Sequence, residues 1–299
     1  MPVYLKTDVK TGRQAPQYVR GVDWQHPLLK HCTSIVTNIG PAPRRFDRAD
    51  GVPRQPTVDN SSGDVTTEFH SVTGTLSKRF SGDATNDRVA LGSITSADPW
   101  SFFGQTDVTV IANLTTDGIT HAAGFPRLVD KSDGGSGANG WAIYWNNNAT
   151  PDILQFQIAG SADTYAEFPF ATYGSSTMIG MSVSGIPLSS TATATFTAYA
   201  DGERASSRTN SIGAFPSTTT NAAIGNWQDV AGNRMWDGFI DFVAIFDKAL
   251  TDAEHAMFYD SRFDFFLTDT RSIFLPAAAP PAGSAPVYLF HNRHHNRSA

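Results

Sequence analysis

Residues 238–246 read Gly238-Phe239-Ile240-Asp241-Phe242-Val243-Ala244-Ile245-Phe246, and a few positions on the chain continues Ala249-Leu250-Thr251-Asp252-Ala253-Glu254. The first stretch is apolar at nearly every position, so it predicts a strand covered on both faces, the centre of a sheet. Asp241, between Phe239 and Val243 on one face, is then a buried carboxylate and a group of perturbed acidity. Thr251-Asp252-Ala253-Glu254 is a capping box, in which the Thr hydroxyl and the Glu carboxylate satisfy opposing amides of a first helical turn. Ala253, Ala256, Met257 and Tyr259 supply a short amphipathic helix after it.

Upstream, short β-branched and aromatic runs alternate with Gly, Asn, Asp and Ser punctuation, the texture of a sandwich. Val108–Leu114 (VTVIANL) and Met178–Val183 (MIGMSV) read as buried strands. Ile153–Ile158 (ILQFQI) alternates strictly. In Trp141–Trp145 (WAIYW) the alternation puts Trp141, Ile143 and Trp145 on one face and Tyr144 on the other. Thr195–Ala200 runs into Asp201-Gly202, the pair that favours a tight hairpin turn with positive φ. Composition agrees. Six Lys and four Glu stand against 24 Asp and 16 Arg, and Lys and Glu are what exposed helix faces normally use. The expected class is all-β with one short helix.

Around this core, residues 1–62 are rich in Pro and Arg and read as an extended N-terminal arm. Residues 63–262 form the sandwich domain, and 263–299 form a C-terminal extension with an Ala/Pro linker and a His/Arg tail. Trp24, Leu28, Phe265, Phe266 and Phe274 are apolar side chains in otherwise polar flanks and read as assembly anchors. A net charge of −6 over 299 residues gives no attraction to nucleic acid. No stretch approaches the ~20 apolar residues of a membrane span, and the opening MPVYLKTDVK has no secretory core. With Cys32 as the sole cysteine, a soluble chain folded in a reducing cytoplasm is expected.

Taken in order, these residues resemble the laminin G-like branch of the concanavalin A-like lectin and glucanase superfamily. Leu76-Ser77-Lys78-Arg79-Phe80-Ser81-Gly82-Asp83 with Val89-Ala90-Leu91-Gly92 looks like its early strand pair, Tyr199-Ala200-Asp201-Gly202 like its late hairpin, and Ile224-Gly225-Asn226 like the strand start that follows. The run from Gly238 to Glu254 resembles its terminal signature. The resemblance implies a jelly-roll sandwich and a structural, hydrogen-bonding role for Asp241. Asp23-Trp24-Gln25-His26-Pro27-Leu28 and Arg271-Ser272-Ile273-Phe274-Leu275-Pro276 look like flanks of laminin G-like proteins of tailed bacteriophages. They imply a virion component assembled in the bacterial cytoplasm.

Relatives that cleave glycans carry a Glu-x-Asp-x-x-Glu strand, because retaining hydrolysis needs two carboxylates about 5 Å apart. That motif is absent, and Glu68, Glu167, Glu203 and Glu254 are isolated. The chain is therefore expected to be no enzyme, with a glycoside hydrolase as a further alternative. Ser136 in Gly134-Gly135-Ser136-Gly137-Ala138 misses the nucleophile-elbow spacing. No cofactor is required. The resemblance allows Ca²⁺ in rim loops, for which Asp130, Asp133 and Asn139, and Asn226 and Asp229, offer the hard oxygens. The tail histidines His291, His294 and His295 read as solvated or docked on a partner. Tyr144, Asn146 and Trp227 are the carbohydrate candidates. The expected function is a non-catalytic virion structural protein, a decoration or fibre component held by its terminal arms. The alternative is an adhesin for host surface glycans. Expected partners are other virion proteins, further copies of the chain and a glycan, with neither nucleic acid nor membrane.

Overall fold

The computed structural model describes residues 18–60, 63–81, 87–116, 125–132, 140–146, 153–159, 164–169, 178–215, 217, 219–227 and 234–268. In chain order the strands are β1 (Val19–Val22), β2 (Cys32–Thr37), β3 (Arg44–Asp47), β4 (Thr57–Asp59), β5 (Val65–His70), β6 (Thr75–Ser81) and β7 (Arg88–Ile94). Then come β8 (Asp107–Leu114), β9 (Arg127–Lys131), β10 (Gly140–Asn146), β11 (Ile153–Ala159), β12 (Thr164–Pro169), β13 (Met178–Ser184), β14 (Ala192–Ala200) and β15 (Glu203–Ile212). After β16 (Thr220–Ile224) and β17 (Asp237–Phe246), helix α1 (Asp252–Asp260) and β18 (Phe266–Thr268) follow. The strand pairings are antiparallel.

Two sheets form the sandwich. The smaller runs β12-β11-β10-β9-β16-β7-β4, and the larger runs β15-β14-β13-β8-β17-β2-β3, with β6 on the first half of β17 and β5 on β6. Trp141, Ile143 and Trp145 of β10 share the core between the sheets with Ile179, Met181 and Val183 of β13, as the alternation requires. Tyr144 faces the other way. A second core lies on the outer side of the larger sheet, where Phe242, Ala244 and Phe246 pack against Val19, Leu29, Phe258 and Phe265. β17 is thus buried on both faces, and its continuous apolar run is accounted for. The hairpin turns at Asp201 and Gly202, with φ of +50° and +84°. The mostly β sandwich expected from the sequence is what the chain adopts.

Three expectations are corrected. Residues 1–62 are not an extended arm throughout: β2 and β3 extend the larger sheet, β4 edges the smaller, and β1 pairs with β18. The Pro-rich texture hid strands too short to show periodicity. Trp24, Leu28, Phe265 and Phe266 pack against or within the second core, so their contacts are intramolecular, while Phe274 lies outside the described residues. Finally, a register shift between Ile240 and Phe242 makes Asp241 a bulge residue, and Ile240 and Val243 both enter the core between the sheets. Among the described residues no helix is long and apolar enough to cross a membrane.

Candidate functional site

The outer face of the smaller sheet gathers three of the residues singled out for ligand binding, Asp130, Tyr144 and Trp227. Register pairs Tyr144 of β10 with Arg127 of β9, and Ala142 with Asp130. The Arg127 guanidinium lies 4.0 Å from the Tyr144 ring centroid. Phe125 meets Tyr144 edge-on at 5.8 Å and holds a left-handed φ of +78°, a backbone conformation that costs a bulky residue free energy. Arg234 lies 5.7 Å from Phe125 and 4.1 Å over Trp227, and its carbonyl accepts the Arg127 amide at 2.8 Å. The result is a continuous series from Trp227 through Arg234, Phe125 and Tyr144 to Arg127 and Asp130.

Electrostatics sets two guanidiniums against one buried carboxylate. Asp130 has Arg127 Nε at 3.2 Å, an ion pair outside hydrogen-bond geometry, and its Oδ1 accepts from the Ser132 amide at 3.1 Å and hydroxyl at 2.8 Å. Burial pushes the Asp130 pKa up against the opposing pull of Arg127 and Ser132. Burial and the neighbouring Arg127 push Arg234 down. Arg127 Nη1, Asp130 Oδ2 and Trp227 Nε1 are buried without a hydrogen-bond partner, and such groups cost free energy until something binds them. The Trp227 loop is positioned by Gly225, whose φ is +81° and where an added Cβ would fall 2.1 Å from the Phe80 ring.

Calcium does not fit the residues described. Asn226 donates to Asp87 O at 3.0 Å and accepts the Trp227 amide at 2.7 Å, and Asp130 faces a guanidinium. A hard cation would find neither carboxylate nor amide oxygen free of competition. Among the described residues no three His, Cys, Asp or Glu gather as a metal group. Asp133, Asn139 and Asp229, with Ser136 and the tail histidines, lie outside them. Asn146, the third carbohydrate candidate, bonds Gln155 Oε1 at 3.2 Å at the end of β10.

Two further polar clusters sit elsewhere. Asp241 accepts from Asn113 at 2.7 Å, from Thr75 at 2.9 Å and from His70 at 3.2 Å. His70 and Asp241 are 1% and 0% exposed, so the network is sealed from a substrate and holds β5, β6, β8 and β17 together. Ser182 meets His255 Nε2 at 2.9 Å, but burial pushes that imidazole down to about 3 and Nδ1 has no partner to orient it. This is a neutral packing contact beneath α1 rather than a nucleophile and its base.

The sequence singled out Tyr144, Trp227 and Asp130 but missed Phe125, Arg127 and Arg234. Their signal is pairing across strands, which no local pattern carries.

No curated protein matches the chain. Among solved structures it is similar to domain 4 of a GH43 extracellular arabinanase from Geobacillus stearothermophilus, in complex with arabinotriose. That likeness has a TM-score of 0.49 and 15% identity, covering 76% of this chain and 97% of that one. A Trypanosoma rangeli sialidase gives 0.49 and 12% over 83% of this chain, which spans 36% of the sialidase. The CBM40 of a Ruminococcus gnavus IT-sialidase, bound to α2,3-sialyllactose, gives 0.41 and 14%, covering 57% and 91%. The expectation that the chain is no enzyme is corrected, since the family model that matches the chain is described by a superfamily of lectins and glucanases, and so takes in enzymes. The laminin G-like family model, described as concanavalin A-like lectin/glucanases superfamily, matches residues 83–254, and with more than half the chain so covered, the protein belongs to that superfamily.

Proposed function

We propose that the chain binds carbohydrate on the outer face of its smaller sheet. The observation that carries this reading is the half-buried group of Phe125, Arg234 and Trp227, joined through the Phe125–Tyr144 contact to the buried Tyr144, Arg127 and Asp130, with Trp227 Nε1 left without a hydrogen-bond partner. Sugar hydroxyls both donate and accept, and so pair with the Trp227 N–H and the Arg234 guanidinium, while the C–H faces of a pyranose or furanose pack on Trp227 and Phe125. Phe265 and Phe266 are buried in the second core and Trp24 and Leu28 half-buried against it, so the flanks expected to hold the chain on a virion spend these side chains largely on the domain itself.

The test is a glycan array on the full chain, followed by calorimetry on any hit. Phe125→Ala and Trp227→Ala are each expected to weaken binding at least about tenfold, equivalent to about 1.4 kcal/mol, without shifting the unfolding midpoint by a similar amount. Chelator is expected to leave binding unchanged. An array with no signal, or a hit that both variants retain in full, overturns the assignment.

A further inference from the structure

On β6, alternation places Leu76, Lys78 and Phe80 on one side, and Phe80 belongs to the core between the sheets. Lys78 therefore occupies a position where the period of two calls for an apolar side chain. It is 6% exposed, and its Nζ donates to Thr67 Oγ1 at 2.6 Å and to Pro41 O at 3.1 Å. Both acceptors are neutral. No carboxylate of the described residues pairs with this ammonium, and one of its three N–H groups is unspent. Burial pushes its pKa down, as it does for a charge without a counter-ion.

The side chain lines a cleft of about 580 Å³ between the Pro41–Pro43 connection, the segment entering β4, and β6. Pro41, Pro43, Pro56 and Val58 give it carbon walls, Gln55 adds a side-chain amide, and Lys78 is the one charged residue among the described residues lining it. A single cation on apolar walls matches a monoanion with an apolar flank. A dianion would bring a second charge that nothing there neutralises.

We propose that this cleft is a binding site for a carboxylate borne on a compact ring, of which a uronate sugar is the type, with Lys78 and Gln55 holding the carboxylate and the prolines packing on the ring. The site stands on different elements from the Tyr144 and Trp227 cluster and does not depend on the function proposed for that face.

Full-length protein carrying [13C]lysine tests it, because six lysines give six ε-methylene signals. Lys78 is assigned by the signal missing from Lys78→Met, or from Lys78→Arg should the first variant not fold. Titration with sodium glucuronate at constant ionic strength is expected to move the Lys78 signal alone, saturably, and to raise its titration midpoint by about one pH unit. Glucose is expected to move nothing. A Lys78 signal unmoved at about 50 mM glucuronate, far above a millimolar Kd, overturns the proposal. An equal response to phosphate or chloride also overturns it, by showing an unselective anion contact. Trp227→Ala is expected to leave the Lys78 response intact, so failure here and failure of the glycan site are separately read.

Discussion

Single side chains decide how this protein responds to acid. Burial on its own would raise the Asp241 carboxyl, yet its hydrogen bonds from His70 and Thr75 hold it below the ordinary 3.8. A carboxyl depressed in the fold adds stability above its unfolded pKa and loses it as pH falls through the lower folded value. His255 moves earlier. Its folded pKa, pushed by burial from 6.5 to about 3, means that the unfolded chain takes the proton first. Stability is then full above about pH 6.5 and falls as pH drops from there toward 3, by up to about 1.4 kcal/mol per unit. Urea midpoints measured from pH 7.5 to 4.5 are expected to decline in the wild type and to decline less in His255→Gln. Equal slopes would show that the imidazole is not what titrates. Asp241→Ala is expected to cost about 3–5 kcal/mol at pH 7, since it strands buried donors on three strands. A loss below about 1 kcal/mol in the same assay would show the network to be idle.

At the scale of elements, α1 shows what a local motif controls and what it leaves open. The capping box formed where it was read: Thr251 Oγ1 accepts the Glu254 amide at 3.3 Å, and Glu254 accepts the Thr251 amide at 2.8 Å. The buried face differs from the one expected, because His255 and Phe258 turn inward while Met257 is 54% exposed. Phe258 packs 5.5 Å from Phe246 and 6.2 Å from Phe242, so the outer face of β17 chose the contact. Thr251→Ala is expected to cost about 1 kcal/mol by thermal unfolding, with Thr251→Ser near neutral. Gly225→Ala, which drives a Cβ into Phe80, is expected to cost more than the cap and also to weaken glycan binding through the Trp227 loop.

For the whole molecule, boundaries follow burial rather than texture. β1 pairs with β18 across nearly the full described length, and β2 lies against β17. A chain cut to residues 63–262 loses two strands of the larger sheet and half of the second core, and is expected to be insoluble or molten. A chain of residues 18–268 is expected to melt within a few degrees of the full protein, as followed by circular dichroism. Folding of the shorter piece with an unchanged midpoint would show the second core to be dispensable.

The strands of the sandwich, the hairpin at Asp201-Gly202 and the cap at Thr251 were legible because each is written in neighbours: a period of two, a turn dipeptide, a four-residue box. The same local reading placed Tyr144 opposite Trp141 and Trp145. The rest lay beyond it for one physical reason. Contacts between distant segments form only once loops close, and their partners leave no periodic trace. His70 reaches Asp241 across 171 residues, Trp100 donates to Ser34 across 66, and Arg127 stacks on Tyr144 because β9 and β10 pair in that register and no other. Local pattern specified a β-sandwich with one capped helix and an aromatic strand. Strand pairing specified that the N-terminal segment is core, that Asp130 and Asn226 are spent on protein partners, and that Lys78 lines a cleft with only neutral acceptors on its ammonium.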